Sequence, residues 1–403
     1  MNAETVIAYR PPTDRTAWLG KDPIPAKAYH DPAYFELERQ AIFMRTWLQI
    51  GHICELPDPG SFIRRDLEFA DASILIVRGK DGAIRAFHNV CTHRGTQLTG
   101  ESEGRASGFI CPYHMWNFGL DGQLRSAPDF ENFFTAKEDC ALRQVAVDTC
   151  GGLLFVNLDK NPKQSLHAFL GEYLVDQLEQ TPCARATQFS EYTYELDANW
   201  KLDYDNFQES YHLKFIHSRS GAASFTAENP FGYPEDYGFY GPHRTQTFWP
   251  GYDPDAATPL QAFVMGKASQ FAIEKGLMPH PTNRQYYALF PNFFLFGSPT
   301  QHFSHTVYPL SARRSRGVIR LYWVGEPQSA SEVMAREYAF VVARDIHAED
   351  VNVIRAGQRG LNSGALEHIH FQAMEGLCRH LYVQSNEMVE QYKREQAARE
   401  LEA

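Results

Sequence analysis

The sequence predicts an α+β chain in which a small antiparallel-β domain precedes a larger domain with its own antiparallel sheet and long C-terminal helices. Three observations carry this. Residues 61–156 are cut into short alternating runs by turn residues, residues 286–324 are again rich in β-branched and aromatic side chains, and residues 330–358 and 370–400 are long amphipathic stretches. With 403 residues, 43% hydrophobic and 22% charged, the chain is long enough for two or three globular domains and too apolar for disorder.

Taken in order, Tyr34, Phe35, Leu37, Ile42 and Phe43 recur at near-helical spacing over 31–45, and 47–50 reads as a short strand. A boundary falls near residue 45. Residues 1–44 are therefore read as a helical segment packing with the larger domain, 45–156 as the small β domain, and 157–403 as the larger one. Asp81-Gly82 and Asp121-Gly122, flanked by apolar residues, signal hairpins in the β domain. Beyond 157 the pattern gives a helix over 166–180, a strand over 188–196 and a helix over 199–217. Residues 221–258, rich in Gly, Pro and aromatics, read as a long pocket-lining loop. Strands over 286–296, 302–309 and 317–324 lead into the two long helices.

Lys and Arg number 38 against 49 Asp and Glu, a net charge of −11 with no basic block, which excludes a nucleic-acid binder of the usual electrostatic kind. The first twelve residues lack the basic and apolar regions of a signal peptide, and no window offers 18 apolar residues in succession, so the expectation is a cytoplasmic protein without a membrane span. Seven cysteines, an odd number, argue against a disulfide framework; those grouped with histidine are better read as metal ligands.

One such group is Cys91-Thr-His93 followed by Cys111-Pro-Tyr-His114, spaced C-x-H-x17-C-x2-H. Two Cys and two His suit tetrahedral zinc. They equally suit a [2Fe–2S] cluster with two Cys on one iron and two His on the other. Zinc fingers usually pair Cys with Cys and His with His, whereas here each short loop carries one of each, as two hairpin tips clasping a dinuclear cluster would. A second constellation lies at Glu209, His212 and His217. The two histidines are five apart, about 140° around an ideal helix, so both face one metal only if the helix bulges or ends between them. Two imidazoles and a distant carboxylate would make the facial triad of non-haem Fe(II) oxygenases, with positions left open for O2.

The first group resembles the Rieske family, whose loops are also matched by Arg94-Gly95, Pro112-Tyr113 and Trp116; Met115 stands where glycine is usual. Thr96 and Tyr113 occupy positions where respiratory-type members carry further cysteines, which places the resemblance in the ferredoxin and oxygenase branch. Asn206-x-x-Glu209-x-Tyr211-His212-x4-His217, preceded by Asn199-Trp200-Lys201, resembles the catalytic domain of the α subunits of Rieske non-haem iron oxygenases, the ring-hydroxylating dioxygenase family.

The resemblance implies a helix-grip catalytic domain, a Rieske [2Fe–2S] cluster on Cys91, His93, Cys111 and His114, and a mononuclear Fe(II) on His212, His217 and a late carboxylate. Glu349-Asp350, followed by Gln358-Arg-Gly-Leu-Asn-Ser363, looks like the family's acidic pair; Asp350 is taken as the ligand, with Glu349 as the fallback. It further implies a homotrimer in which Glu209 bridges His212 of one chain and the cluster histidine His114 of another, with Asn206 and Tyr211 in the same catalytic set. O2 is the co-substrate. No G-x-G-x-x-G is present to bind a nicotinamide or flavin, so electrons are expected from an NAD(P)H-dependent flavin/iron–sulfur reductase or a ferredoxin.

Phe293 and Phe296, with Phe225, Phe263 and Phe271, are expected to line an apolar pocket for an aromatic or alicyclic molecule. Glutamate at 209, where many ring-hydroxylating members carry Asp, resembles instead the branch that oxidises quaternary ammonium compounds, which aromatic side chains hold by cation–π attraction. A bare Rieske electron carrier is the reading of another class, and the second iron motif opposes it.

Overall fold

The computed structural model describes residues 9–217, 227–249, 258–275, 285–297 and 302–402. Two compact units emerge, one made of residues 39–185 and the other of residues up to Glu38 together with 186–403.

In the first unit the Asp-Gly turns produce the expected hairpins, with positive φ at Gly82 and Gly122. Among the described residues its main sheet runs, strand beside strand, Leu48–His52, Leu153–Asn157, Gln144–Cys150, Ile84–His88, Ala72–Arg78, Ser61–Leu67 and Glu103–Arg105. Its strands pair antiparallel throughout. A smaller sheet of Phe109–Ile110, Asn117–Phe118 and Leu124–Ser126 sits beside it in sequence, and Phe62, Leu75, Phe87, Phe109, Trp116 and Phe118 form a core that includes Cys91 and Cys111. Residues 157–185, expected in the larger domain, belong to this unit. The cause is local bonding: Trp47 Nε1 donates to Gln164 O, the Gly151 amide donates to Glu179, and the His52 ring meets Cys183 O. The helix expected over 166–180 is broken into Leu166–Leu170 and Glu172–Gln180 by Gly171, whose φ is +80°.

The second unit is built on an antiparallel sheet in the order Gln188–Leu196, Arg314–Trp323, His302–Ser311, Phe293–Gly297, Gln285–Leu289, His243–Thr247 and Asp236–Tyr240. The helix Ala330–Asn362 packs its Ala339 and Ile354 against Tyr194, Leu196, Ile319 and Leu321 of the sheet. Two expectations are corrected here. The strand expected over 286–296 is a hairpin, because Phe290-Pro291-Asn292 turns the chain between Tyr286↔Phe296 and Leu289↔Phe293. Part of the loop expected over 221–258 is the hairpin Asp236–Tyr240 with His243–Thr247; residues 218–226 and 250–257 lie outside the described residues.

The N-terminal residues are held by charge as well as by packing. Glu38 accepts from Lys201 Nζ at 2.6 and 2.7 Å and from Trp200 Nε1 at 3.2 Å, and both members of the ion pair are fully buried. Tyr29, Tyr34 and Trp200 surround the ammonium.

Candidate functional site

The two Cys/His loops have the same backbone design. The Cys91 amide donates to Thr96 O and the Cys111 amide to Trp116 O; Gly95 N returns to Cys91 O and Met115 N to Cys111 O. The residue four positions after each cysteine therefore closes a turn, and each has positive φ, +81° at Gly95 and +58° at Met115. This explains why glycine is usual at 115: a side chain in the left-handed region is strained by about 1–2 kcal/mol. Both cysteines are buried, and the half-buried His93 and His114 rings lie 4.6 Å apart. His93 stacks on Trp116 at 4.9 Å, which fixes its orientation.

The Nδ1 atoms of His93 and His114 are buried without a hydrogen-bond partner. Burial pushes the Cys91 thiol up, and Cys111 beside it adds to the shift, while the backbone N–H groups of His93 and Arg94 oppose it. A buried thiol that resists ionisation, a second buried cysteine beside it and two orphaned imidazole nitrogens are the donor set a dinuclear cluster satisfies. Among the described residues these four do not form a group placed around one ion, as tetrahedral zinc would need.

A single-ion group is present elsewhere: one ligating atom from each of His212, His217 and Asp350 lies within 4.8 Å of the others. The expected helix over 199–217 ends at Asn206, and only one turn, Leu213–Ile216, remains between the histidines. His212 precedes that turn and His217 closes it, which removes the 140° problem and brings the rings to 5.3 Å. His217 Nε2 is 3.1 Å and His212 Nε2 3.6 Å from Asp350 Oδ1. Asp350 is 2% exposed, and its Oδ1 has no aligned hydrogen bond despite these approaches. Two nitrogens and a carboxylate oxygen converging in this way could hold a metal ion.

Each imidazole is held from behind. Glu209 contacts His212 Nδ1 and also accepts the His212 amide at 3.2 Å, while Glu349 lies 2.9 Å from His217 Nδ1. A carboxylate at Nδ1 fixes the tautomer that leaves Nε2 free to ligate. Burial alone would lower the His217 imidazole, but the Asp350 and Glu349 carboxylates outweigh it and raise its pKa. The two ligand-bearing segments are tied together by Gln358, whose Oε1 accepts the Asn199 amide at 2.7 Å, eight residues beyond Asp350 on the same helix.

Asn206 sits at the end of its helix with a buried, unpartnered Nδ2, and Tyr211 is 45% exposed and packs on Phe231. Phe293 is fully buried in the sheet, and Phe296 is half-buried against Phe248. Phe225 lies outside the described residues. Sequence reasoning missed Glu349 as the partner of His217, and it also missed a buried polar chain in which the Tyr194 hydroxyl meets Asp203 Oδ1 at 2.8 Å and His305 Nε2 at 2.6 Å. Neither had a local signal, since Glu349 lies 132 residues from His217 and His305 lies 111 from Tyr194.

Residues 183–391 match the ring hydroxylating alpha subunit (catalytic domain) model and 46–146 the Rieske [2Fe-2S] domain model. The glycine betaine monooxygenase oxygenase subunit of Chromohalobacter salexigens is 37% identical over 202 residues, 49% of this chain but only 44% of the relative. The chain thus spans less than half the length of that relative. The carnitine monooxygenase oxygenase subunit of Acinetobacter baumannii is 29% identical over 353 residues, covering 84% of this chain and 85% of its own. A solved quaternary ammonium Rieske monooxygenase in complex with L-carnitine superposes with a TM-score of 0.73 at 23% identity, covering 94% of this chain and 99% of the other. Since the catalytic-domain match alone takes in more than half of its residues, the chain belongs to the ring-hydroxylating alpha-subunit family of Rieske oxygenases, with a [2Fe–2S] cluster and a mononuclear iron as its cofactors.

Proposed function

We propose that the chain is the terminal oxygenase component of an NAD(P)H-dependent system, supplied with electrons by a flavin/iron–sulfur reductase or a ferredoxin and using O2 to oxidise a small organic molecule in the cytoplasm. Cys91, His93, Cys111 and His114 hold the cluster; His212, His217 and Asp350 hold the iron. When bound, the cluster supplies one-electron transfer and the iron supplies dioxygen activation at its open positions. The observation that carries the reading is the convergence of His212, His217 and Asp350, with a carboxylate behind each imidazole.

The chain's own residues perform definite tasks. Glu209 and Glu349 hold the Nδ1 protons of His212 and His217, which keeps both Nε2 lone pairs aimed inward. Asp350 supplies the one anionic donor from a buried position. Trp116 holds the His93 ring flat against it. In a homotrimer, Glu209 would in addition reach His114 of the partner subunit, joining the two kinds of metal site across the interface; a head-to-tail arrangement that closes by rotation makes such a ring. A related quaternary ammonium Rieske monooxygenase has been described in terms of inter-subunit electron transfer.

The substrate favoured by the relatives is a quaternary ammonium compound. Glutamate at 209 and the exposed aromatic side chains Tyr211 and Phe215 near the triad support the same class. The test is NADH and O2 consumption with a generic reductase across betaines, carnitine and aromatic acids, with product identified. Turnover of a quaternary ammonium member is expected. Product from aromatic acids alone would overturn the substrate assignment, and no product from any class with both metal sites filled would overturn the activity.

A further inference from the structure

A chain of buried side chains beside the triad has no task in the proposed reaction. Tyr194, on the strand Gln188–Leu196, is buried with its hydroxyl 2.6 Å from His305 Nε2 and 2.8 Å from Asp203 Oδ1. Ser315 Oγ donates to the other Asp203 oxygen at 3.3 Å. The Tyr194 ring lies 4.0 Å from the ring of His347, which precedes Asp350 by three residues, about 4.5 Å along the helix axis. Tyr194 also stacks on Tyr192 at 5.6 Å and 28°, and Tyr192 is half-buried, at the edge of solvent. The sheet makes room for this phenol: Gly317 is its register partner, and a Cβ there would overlap the Tyr194 ring.

A phenol without a base loses an electron with difficulty, because the radical cation must form before the proton leaves. A phenol that donates to a base loses both together, the proton moving along an existing bond. Asp203 is such a base: its Oδ1 accepts the Tyr194 hydroxyl at 2.8 Å and burial raises its carboxyl to about 7, whereas burial holds the His305 imidazole well below its ordinary value and therefore neutral.

We propose that Tyr194 is a redox-active residue that drains oxidising equivalents from the triad to the protein surface through Tyr192. The proposal rests on the oxygenase reading for its oxidant, which is the dioxygen-derived oxidant formed in cycles without substrate. In the step, the Tyr194 O–H bond breaks, the electron goes to that oxidant, and the proton passes along the existing bond to Asp203 Oδ1. A neutral tyrosyl radical and a protonated Asp203 carboxyl result, with the His305 ring remaining neutral beside the phenol oxygen. An electron from a solvent reductant such as ascorbate returns through Tyr192, and the proton returns from Asp203 to the phenol oxygen.

Two experiments separate this from the oxygenase reading. In the first, full-length protein stripped of its mononuclear iron is oxidised by photogenerated ruthenium(III) tris-bipyridine and freeze-quenched for EPR. The wild type is expected to give a tyrosyl signal that narrows when tyrosine is ring-deuterated, and Tyr194→Phe to lose most of it. Equal amplitude in Tyr194→Phe overturns the proposal. Because that variant removes a partner from Asp203 and His305, Tyr192→Phe, which touches neither bond, is measured as well; a longer-lived signal is expected, and an unchanged lifetime overturns the exit route. In the second, reduced holoenzyme is mixed with O2 without substrate. The same signal is expected in the wild type, and O2 uptake without it overturns the protective role. A signal in the first experiment with no O2 uptake in the second overturns the oxygenase reading and leaves Tyr194 redox-active.

Discussion

The neighbouring carboxylates Glu349 and Asp350 are assigned different tasks by their geometry, and replacing each in turn tests the assignment. Asp350 Oδ1 faces both Nε2 atoms, whereas Glu349 meets Nδ1 of His217. Structural zinc sites release about 10–16 kcal/mol through four donors, so one donor is worth about 2.5–4 kcal/mol, roughly 70- to 900-fold in affinity. Asp350→Ala should therefore weaken metal binding by that factor. Removing an outer carboxylate costs about 10–100-fold. The Glu349 side chain keeps 26% of its surface exposed, where water can replace part of its hydrogen bond, so Glu349→Ala should fall near the lower end of that range. Glu349→Gln, whose amide oxygen still accepts the Nδ1 proton, should lose less again. The assay is anaerobic Co(II) titration of protein stripped of its mononuclear metal, with the cluster's visible spectrum as the internal control for folding. If Glu349→Ala loses as much affinity as Asp350→Ala, or more, the two roles have been assigned the wrong way round.

Three further outcomes are expected. Lys201→Met should destabilise the chain by about 3–5 kcal/mol in urea unfolding, because it strands the buried Glu38, and adding Glu38→Leu should restore most of the loss; a single-variant effect under about 1 kcal/mol would refute the ion pair's importance. Burial pushes Asp203 from 3.8 up to about 7, against opposing hydrogen bonds from Tyr194 and Ser315, so between about pH 4 and 7 the folded state keeps a proton that the unfolded state has released. Stability then falls as pH rises through that window, by at most about 1.4 kcal/mol per pH unit for this group, and Asp203→Asn should flatten the slope; an unchanged slope in denaturation across pH would sink the idea. Met115→Gly should relieve about 1–2 kcal/mol of left-handed strain against about 0.5–1 kcal/mol of added backbone entropy, slowing thermal loss of the cluster's absorption, whereas faster loss would show that the Met side chain contributes more than its 57% exposure suggests.

What was readable in the sequence was mostly what is local. The strand Gln188–Leu196 begins and ends where its alternation does, and the Asp-Gly hairpins form where their turn chemistry demands. Misreadings arose where one apolar run covers two elements. Residues 286–296 look like one strand because aromatic residues fill both arms of the hairpin, although Pro291-Asn292 already marked the turn. Residues 199–217 look like one helix because the motif keeps apolar residues throughout, although the five-residue histidine spacing already required a break. The boundary at 156 failed for another reason. Nothing in residues 157–185 announces that Gln164, Glu179 and Cys183 will bond back to the β unit, since each contact joins residues 28 or more apart.

The two metal sites show the same divide. Each cluster loop carries one Cys and one His within four residues, and the backbone bonds that shape it close within six, so the whole site is written in two short segments. The triad draws its third donor from 350 − 217 = 133 residues beyond His217, and spacing alone has no means of choosing between Glu349 and Asp350. Helix geometry does. Consecutive residues on a helix point about 100° apart, so two adjacent carboxylates cannot both enter a site facing one side of it. Asp350 turns inward to 2% exposure, and Glu349 is left at the flank, where it meets Nδ1 of His217. On the proposed iron site the acidic pair becomes a division of labour that the helix imposes: one residue would meet the metal, and the next aligns the imidazole that would share it.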